Sequence, residues 1–198
     1  MKIIGIDLAG SENRITGFCV LDENLNCKTF TLHTDEEILQ KTLEIKPDLI
    51  SIDAPLTLPK GRKSLEQKSK PHLRKCDKDL LKMKIKFFPI TLGPMRKLTK
   101  RGIKLKKIFE ENGVKVIESF PGSVQDVLGI PRKHKGLEKL RKGLIKYGIK
   151  GDIKKKNITD HELDAITCAL VGKMYLEGNY LAIGDEKEGL IILPKIKD

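Results

Sequence analysis

The sequence predicts an α/β protein in which a mixed five-stranded sheet is flanked by helices and carries two basic insertions and a C-terminal two-strand extension. Short apolar runs, too brief for helices, alternate with longer stretches of helical spacing, as strands linked by crossovers do. The runs at 2–8, 15–21 and 28–32 are instead separated only by turn residues, so the domain opens with three antiparallel strands. At 198 residues the chain suits one well-buried domain, and 1–198 is read as a single unit.

Residues 2–8 form an almost uninterrupted apolar run closed by Ala9-Gly10-Ser11, the pattern of a buried strand. The alternating, β-branched segments 15–21 and 28–32 flank Asp22-Glu23-Asn24, a hairpin turn. Thr34 followed by Asp35, Glu36 and Glu37 is a helix start with a capping box, and Ile38, Leu39, Thr42 and Leu43 keep helical spacing up to Pro47. Residues 49–53 then read as a strand parallel to the first, reached by that helical crossover. Residues 60–86 read as a lysine-rich, partly mobile helical insert. Residues 95–112 form an amphipathic helix with Leu98, Leu105, Ile108 and Phe109 inward, stopped by Gly113. Residues 114–118 give the last sheet strand, closed by Phe120-Pro121-Gly122, and 132–151 a basic insertion with one helix. A second capping box at Thr159-Asp160-His161-Glu162 starts a helix through Ala165, Ile166, Ala169, Leu170 and Met174, and two strands at 180–183 and 189–193 end the chain.

Charge is unevenly spread. The formal charge is +12, yet 60–107 holds 18 basic and 3 acidic residues and 132–156 holds 11 and 2, so the remainder is net acidic. Basic lobes on an acidic framework suit a protein that grips a polyanion while acids elsewhere hold metal ions. Aromatic content of 5% without Trp argues against a single-strand stacking platform. No apolar run approaches the ~20 residues that span a bilayer. The N-terminal segment places Asp7 inside what would be a signal peptide's apolar core, and the four cysteines contain no C-x-x-C pair, so a reduced, cytoplasmic protein with no membrane partner is expected.

Three of the short strands end in an acid: Asp7, Asp53 and Glu118. Ligands bind beyond the C-terminal ends of parallel strands, so three acids there would meet in one crevice. On the last helix, 100° per residue aligns Asp164 with Cys168, Val171 and Tyr175, an apolar stripe, and a carboxylate pointed into protein needs a cation or hydrogen bonds. His161 and Asp160, one turn earlier, either cap the helix or reach the same cation. Clustered carboxylates repel unless cations intervene. An oxygen-rich set suits two Mg²⁺ or Mn²⁺ ions, with a histidine tilting the preference towards Mn²⁺, and two ions favour in-line displacement at phosphorus.

Gly5-Ile6-Asp7-Leu8-Ala9-Gly10, Ile52-Asp53-Ala54-Pro55-Leu56, Arg74-Lys75-Cys76-Asp77, Glu118-Ser119-Phe120-Pro121-Gly122, His161-Glu162-Leu163-Asp164-Ala165, and Gly184-Asp185-Glu186 with Gly189-Leu190-Ile191-Ile192-Leu193-Pro194 together resemble a family of predicted RNase H-like nucleases. Its superfamily includes ribonuclease H and the RuvC-type Holliday-junction resolvases. The resemblance implies three antiparallel strands, two more parallel to the first, and a C-terminal helix. It also implies that Asp7 is a bridging metal ligand, that Asp53 is the second acid, in a place where resolvases usually carry Glu, and that His161 and Asp164 are the helix-borne pair. Glu118 is assigned on chemistry alone as outer ligand or water-orienting base. The catalytic set expected is thus Asp7, Asp53, Glu118 and Asp164, with Asp7, Asp53, His161 and Asp164 as metal ligands. Arg74, Arg96, Lys97, Arg101, Arg132 and Lys133 are expected to contact nucleic acid. Structured or branched DNA or RNA would be the partner, and resolvases act as homodimers.

Two other functions fit parts of the sequence. A degenerate nuclease fold would bind nucleic acid without cutting it. The segment from Gly5 to Gly10 with Thr16-Gly17 also resembles the first phosphate loop of actin-like ATPases and sugar kinases, which implies a small-molecule phosphotransferase, although Asp53-Ala54-Pro55 lacks their second loop's glycine.

Overall fold

The computed structural model describes residues 1–68 and 70–195. Strand β1 (Lys2–Asp7) pairs antiparallel with β2 (Thr16–Asp22), which pairs antiparallel with β3 (Asn26–Leu32). Helix α1 (Asp35–Ile45) crosses to β4 (Leu49–Asp53), parallel to β1. Helices α2 (Lys75–Lys82) and α3 (Gly93–Glu111) precede β5 (Val116–Ser119), parallel to β4. This is the strand order the sequence led us to expect, and both capping boxes form, at Thr34 with Glu37 and at Thr159 with Glu162.

The sheet is larger than five strands. Beyond α4 (Pro121–Val127) and α5 (Leu137–Tyr147), the two-residue β6 (Lys150–Gly151) adds to β3. After α6 (Asp160–Leu176), β7 (Tyr180–Asp185) and β8 (Gly189–Pro194) form a hairpin whose β8 pairs parallel with β5. The expected C-terminal extension therefore continues the sheet, giving the order β6-β3-β2-β1-β4-β5-β8-β7. The segment Phe120-Pro121-Gly122 starts α4 with Pro121 at its first position, where the missing amide hydrogen costs nothing. Among its described residues, the 60–86 insert has one helix, α2, and is otherwise irregular.

Strand alternation divides the core. Ile4, Ile6, Ile50 and Ile52 face α1 and α3 with Ile38, Leu105 and Phe109. Ile3, Cys19 and Leu21 face α6, which is buried almost all round. Two glycines let α6 lie directly on the sheet: a Cβ at Gly5 would sit 2.1 Å from the Ala165 carbonyl oxygen, and one at Gly17 would sit 2.0 Å from that of His161. Gly17 is the β2 partner of Asp7, so this contact brings the first turn of α6 beside the end of β1.

Candidate active site

Asp7 and Asp53 are register partners at the ends of adjacent parallel strands, so their side chains share the sheet face that α6 covers. His161, set down over Gly17, places Nδ1 2.7 Å from Asp7 Oδ2. A carboxylate can only accept, so the ring donates, and this hydrogen bond outweighs burial and raises the imidazole pKa. One turn on, Asp164 Oδ1 accepts from Gln125 Nε2 of α4 at 2.9 Å, and Oδ2 faces Lys133 Nζ at 2.8 Å. The same ammonium lies 3.1 Å from Asp160 Oδ2.

Among the described residues, Asp53 has no hydrogen-bond or ion-pair partner. Burial first, and then the charges of Asp7 and Asp164, push its pKa well above the usual carboxylate range. Burial and Asp7 also raise Asp164, against the pull of Lys133 and Gln125. Acids drawn from β1, β4 and α6 thus act on one another; Lys133, in contact with Asp164 and Asp160, offsets part of that repulsion at Asp164 and at Asp53.

Among the described residues, no three His, Cys, Asp or Glu side chains are grouped to hold a metal ion as they stand. The donor chemistry still fits a hard divalent cation. Two carboxylates lie side by side on one sheet face, one of them without a partner, and the neighbouring acids already hold a positive charge in Lys133.

Several expected site residues lie elsewhere. Glu118 pairs in register with Ile52, while Ser119 pairs with Asp53; alternation therefore turns Glu118 to the opposite sheet face from Asp7 and Asp53. There both its oxygens meet Arg74, each at 2.7 Å, and Oε2 also accepts from the Leu56 amide at 2.8 Å. Arg74 is equally unavailable to nucleic acid: it is 1% exposed and binds Asp77 as well. Arg101 is buried too, donating to Asp35 and to the carbonyls of Ala9 and His33, so it ties α3 to the loops beside β1. Lys133 belongs to the carboxylate cluster, and Arg132 pairs with Asp126 and stacks over Phe120. Arg96 and Lys97 are exposed, as a nucleic-acid contact requires. Sequence reasoning missed Gln125 and the inward role of Lys133, for which no local pattern gives a signal.

One cavity opens at the site, and a groove lies along α3. The cavity, of about 680 Å³, runs from Asp53 and Ser119 to Phe88, Phe120 and Arg132, with mainly apolar walls. Lys97, Lys100 and Lys104 of α3 line a shallower groove with Gly10, Ser11 and the acids Glu12 and Asp35. No described helix is long and apolar enough to cross a membrane.

No family model and no curated protein matches the chain. Among solved structures it is similar to T. thermophilus RuvC in complex with a Holliday junction substrate, at 14% identity over 90% of this chain and 97% of that one, with a TM-score of 0.55. It also matches a structure of Thermus thermophilus RuvC at 15% identity, with the same coverage and a TM-score of 0.48. The fold is the RNase H-like fold of RuvC type.

Proposed function

We propose that the chain is a divalent-metal-dependent nuclease, a resolvase-like phosphodiester hydrolase acting on structured or branched nucleic acid. The observation that carries this reading is the side-by-side pair Asp7 and Asp53 under the first turn of α6, with Asp53 left without a partner. The likeness in fold to RuvC held on a Holliday junction supports it.

In this reading Asp7 and Asp53, with His161 and Asp164 beside them, would hold Mg²⁺ or Mn²⁺. Bound there, such ions activate water and stabilise charge on phosphoryl oxygens. The remaining work falls to the chain's own groups. Gln125 fixes the rotamer of Asp164 through its amide hydrogen, and Asp7 fixes His161 through Nδ1, leaving Nε2 to exchange a proton with solvent or substrate. Arg96, Lys97 and Lys100 offer exposed charge to the phosphate backbone; these contacts position without reading sequence. A homodimer would set two such sites across a two-fold branched substrate.

The test is cleavage of four-way-junction and duplex DNA and of structured RNA by the pure protein with Mn²⁺ or Mg²⁺. Wild type is expected to cut and Asp7→Asn to lose activity at least 100-fold, on the order of an essential electrostatic group. Equal cleavage by the two proteins refutes the assignment. The Lys133–Asp164 ion pair favours a second reading, a non-cutting binder whose acids are closed by lysine. That protein would bind nucleic acid in a salt-sensitive way, indifferent to EDTA and to Asp7→Asn.

A further inference from the structure

We propose that the Lys133 ammonium is a built-in cation that takes the place of one of two divalent ions, so that the site accepts a single ion, at Asp7 and Asp53. The inference rests on the hydrolase reading and specifies its metal count.

Four acids surround the crevice, and they divide into two ends. At the α6 end, Asp160 and Asp164 already share one positive charge, with Nζ at 3.1 and 2.8 Å. At the sheet end, Asp53 has no partner and Asp7 has only the imidazole of His161. A divalent ion added at the α6 end would have to displace the ammonium or sit against it, and like charges at that range repel strongly in a partly buried site.

The lysine's segment is seated so that its ammonium is kept within reach of both α6 acids. Arg132, its neighbour, is clasped by Asp126 and lies over the Phe120 ring. Its guanidinium packs where a Cβ at Gly122 would come within 2.8 Å of Nη1. On the other side Ile130 fills the space above Gly143 of α5, where a Cβ would lie 2.7 Å from its methyl carbon. The backbone that carries Lys133 is thus held between α4 and α5. An ammonium has three donors. Two meet Asp164 and Asp160, and the third remains for an oxygen of the substrate phosphate. Lys133 would then be a positioning and charge-balancing group, doing for the α6 acids what a second ion does in an all-carboxylate site.

The experiment is an Mn²⁺ titration of the full chain followed by electron paramagnetic resonance, which counts bound ions without reference to activity. Wild type is expected to bind one Mn²⁺ per chain, Asp53→Asn none, and Lys133→Met two. Two ions on wild type overturn the inference whatever the variants do, and this arm does not depend on Lys133→Met folding. One ion on a folded Lys133→Met also overturns it. If wild type holds two ions and cleaves, the hydrolase reading survives while this inference falls. If it holds none and does not cleave, both fall.

Discussion

Replacing Arg74 by Met removes the one positive charge from a buried cluster that also contains Asp77 and Glu118. Exposures of 1%, 2% and 6% leave water almost no access to the two carboxylates. Glu118 is deprived of two hydrogen bonds of 2.7 Å, and Asp77 of those of 2.9 and 3.2 Å from Nη2 and Nε. The backbone amides of Leu56 and Arg74, at 2.8 Å each, stay as partial compensation. Breaking a buried pair by deleting one partner costs about 3–5 kcal/mol. For a chain of this size that corresponds to a fall in Tm of roughly 6–20 °C. The assay is urea unfolding followed by circular dichroism, with Glu118→Gln and the double variant completing the cycle. The amide that Glu118→Gln introduces is a neutral neighbour that a Met at 74 tolerates, so the double variant is expected to cost about 1–3 kcal/mol less than the sum of the singles. Because Glu118 faces away from Asp7 and Asp53, Glu118→Gln is also expected to keep its Mn²⁺ binding. An Arg74→Met protein within about 1 kcal/mol of wild type, or strictly additive costs, would refute the account of this cluster.

Other outcomes follow from the same structure. Gly17→Ala puts a methyl group 2.0 Å from the His161 carbonyl oxygen, so α6 must lift; a loss of about 1–3 kcal/mol, read by thermal unfolding, is expected. Burial raises the Asp35 pKa, but Lys104 and Arg101 outweigh it and hold the group below its usual value. The stability this contributes is present above the unfolded pKa of about 3.9 and is lost as pH falls through the lower folded value. Wild type should therefore lose more stability than Asp35→Asn between pH 5 and 2; parallel curves would contradict the ion pair. Replacing Arg96, Lys97 and Lys100 together by Ala should lower the salt slope of duplex binding by up to about 0.9 for each phosphate no longer neutralised, measured by anisotropy between 50 and 200 mM salt. An unchanged slope would move the nucleic-acid face elsewhere.

Much of the framework was legible along the chain because it depends on local chemistry. Apolar runs of five to seven residues ending in Asp7 and Asp53 can only be buried strands, and Thr34 and Thr159 with their partners three residues on mark helix starts by capping alone. The approach of Asp164 to Asp7 and Asp53 could also be anticipated, since a carboxylate on an apolar helical stripe requires company.

What tertiary structure decided was which charges go inside, and on which face. The alternation of β5 is plain in the sequence, but its register against β4 is not, and a one-residue offset sends Ser119 rather than Glu118 to the face of Asp53. Arg74, Arg101 and Lys133 look like surface cations because burying a lone charge is costly, and reading along the chain finds them alone. Their counter-charges come from across the fold: Glu118 lies 44 positions from Arg74, Asp35 lies 66 from Arg101, and Asp164 meets Lys133 only once α6 has settled onto Gly5 and Gly17. Burial of an ion becomes tolerable only when its partner arrives, and that arrival is a property of the assembled sheet and helices.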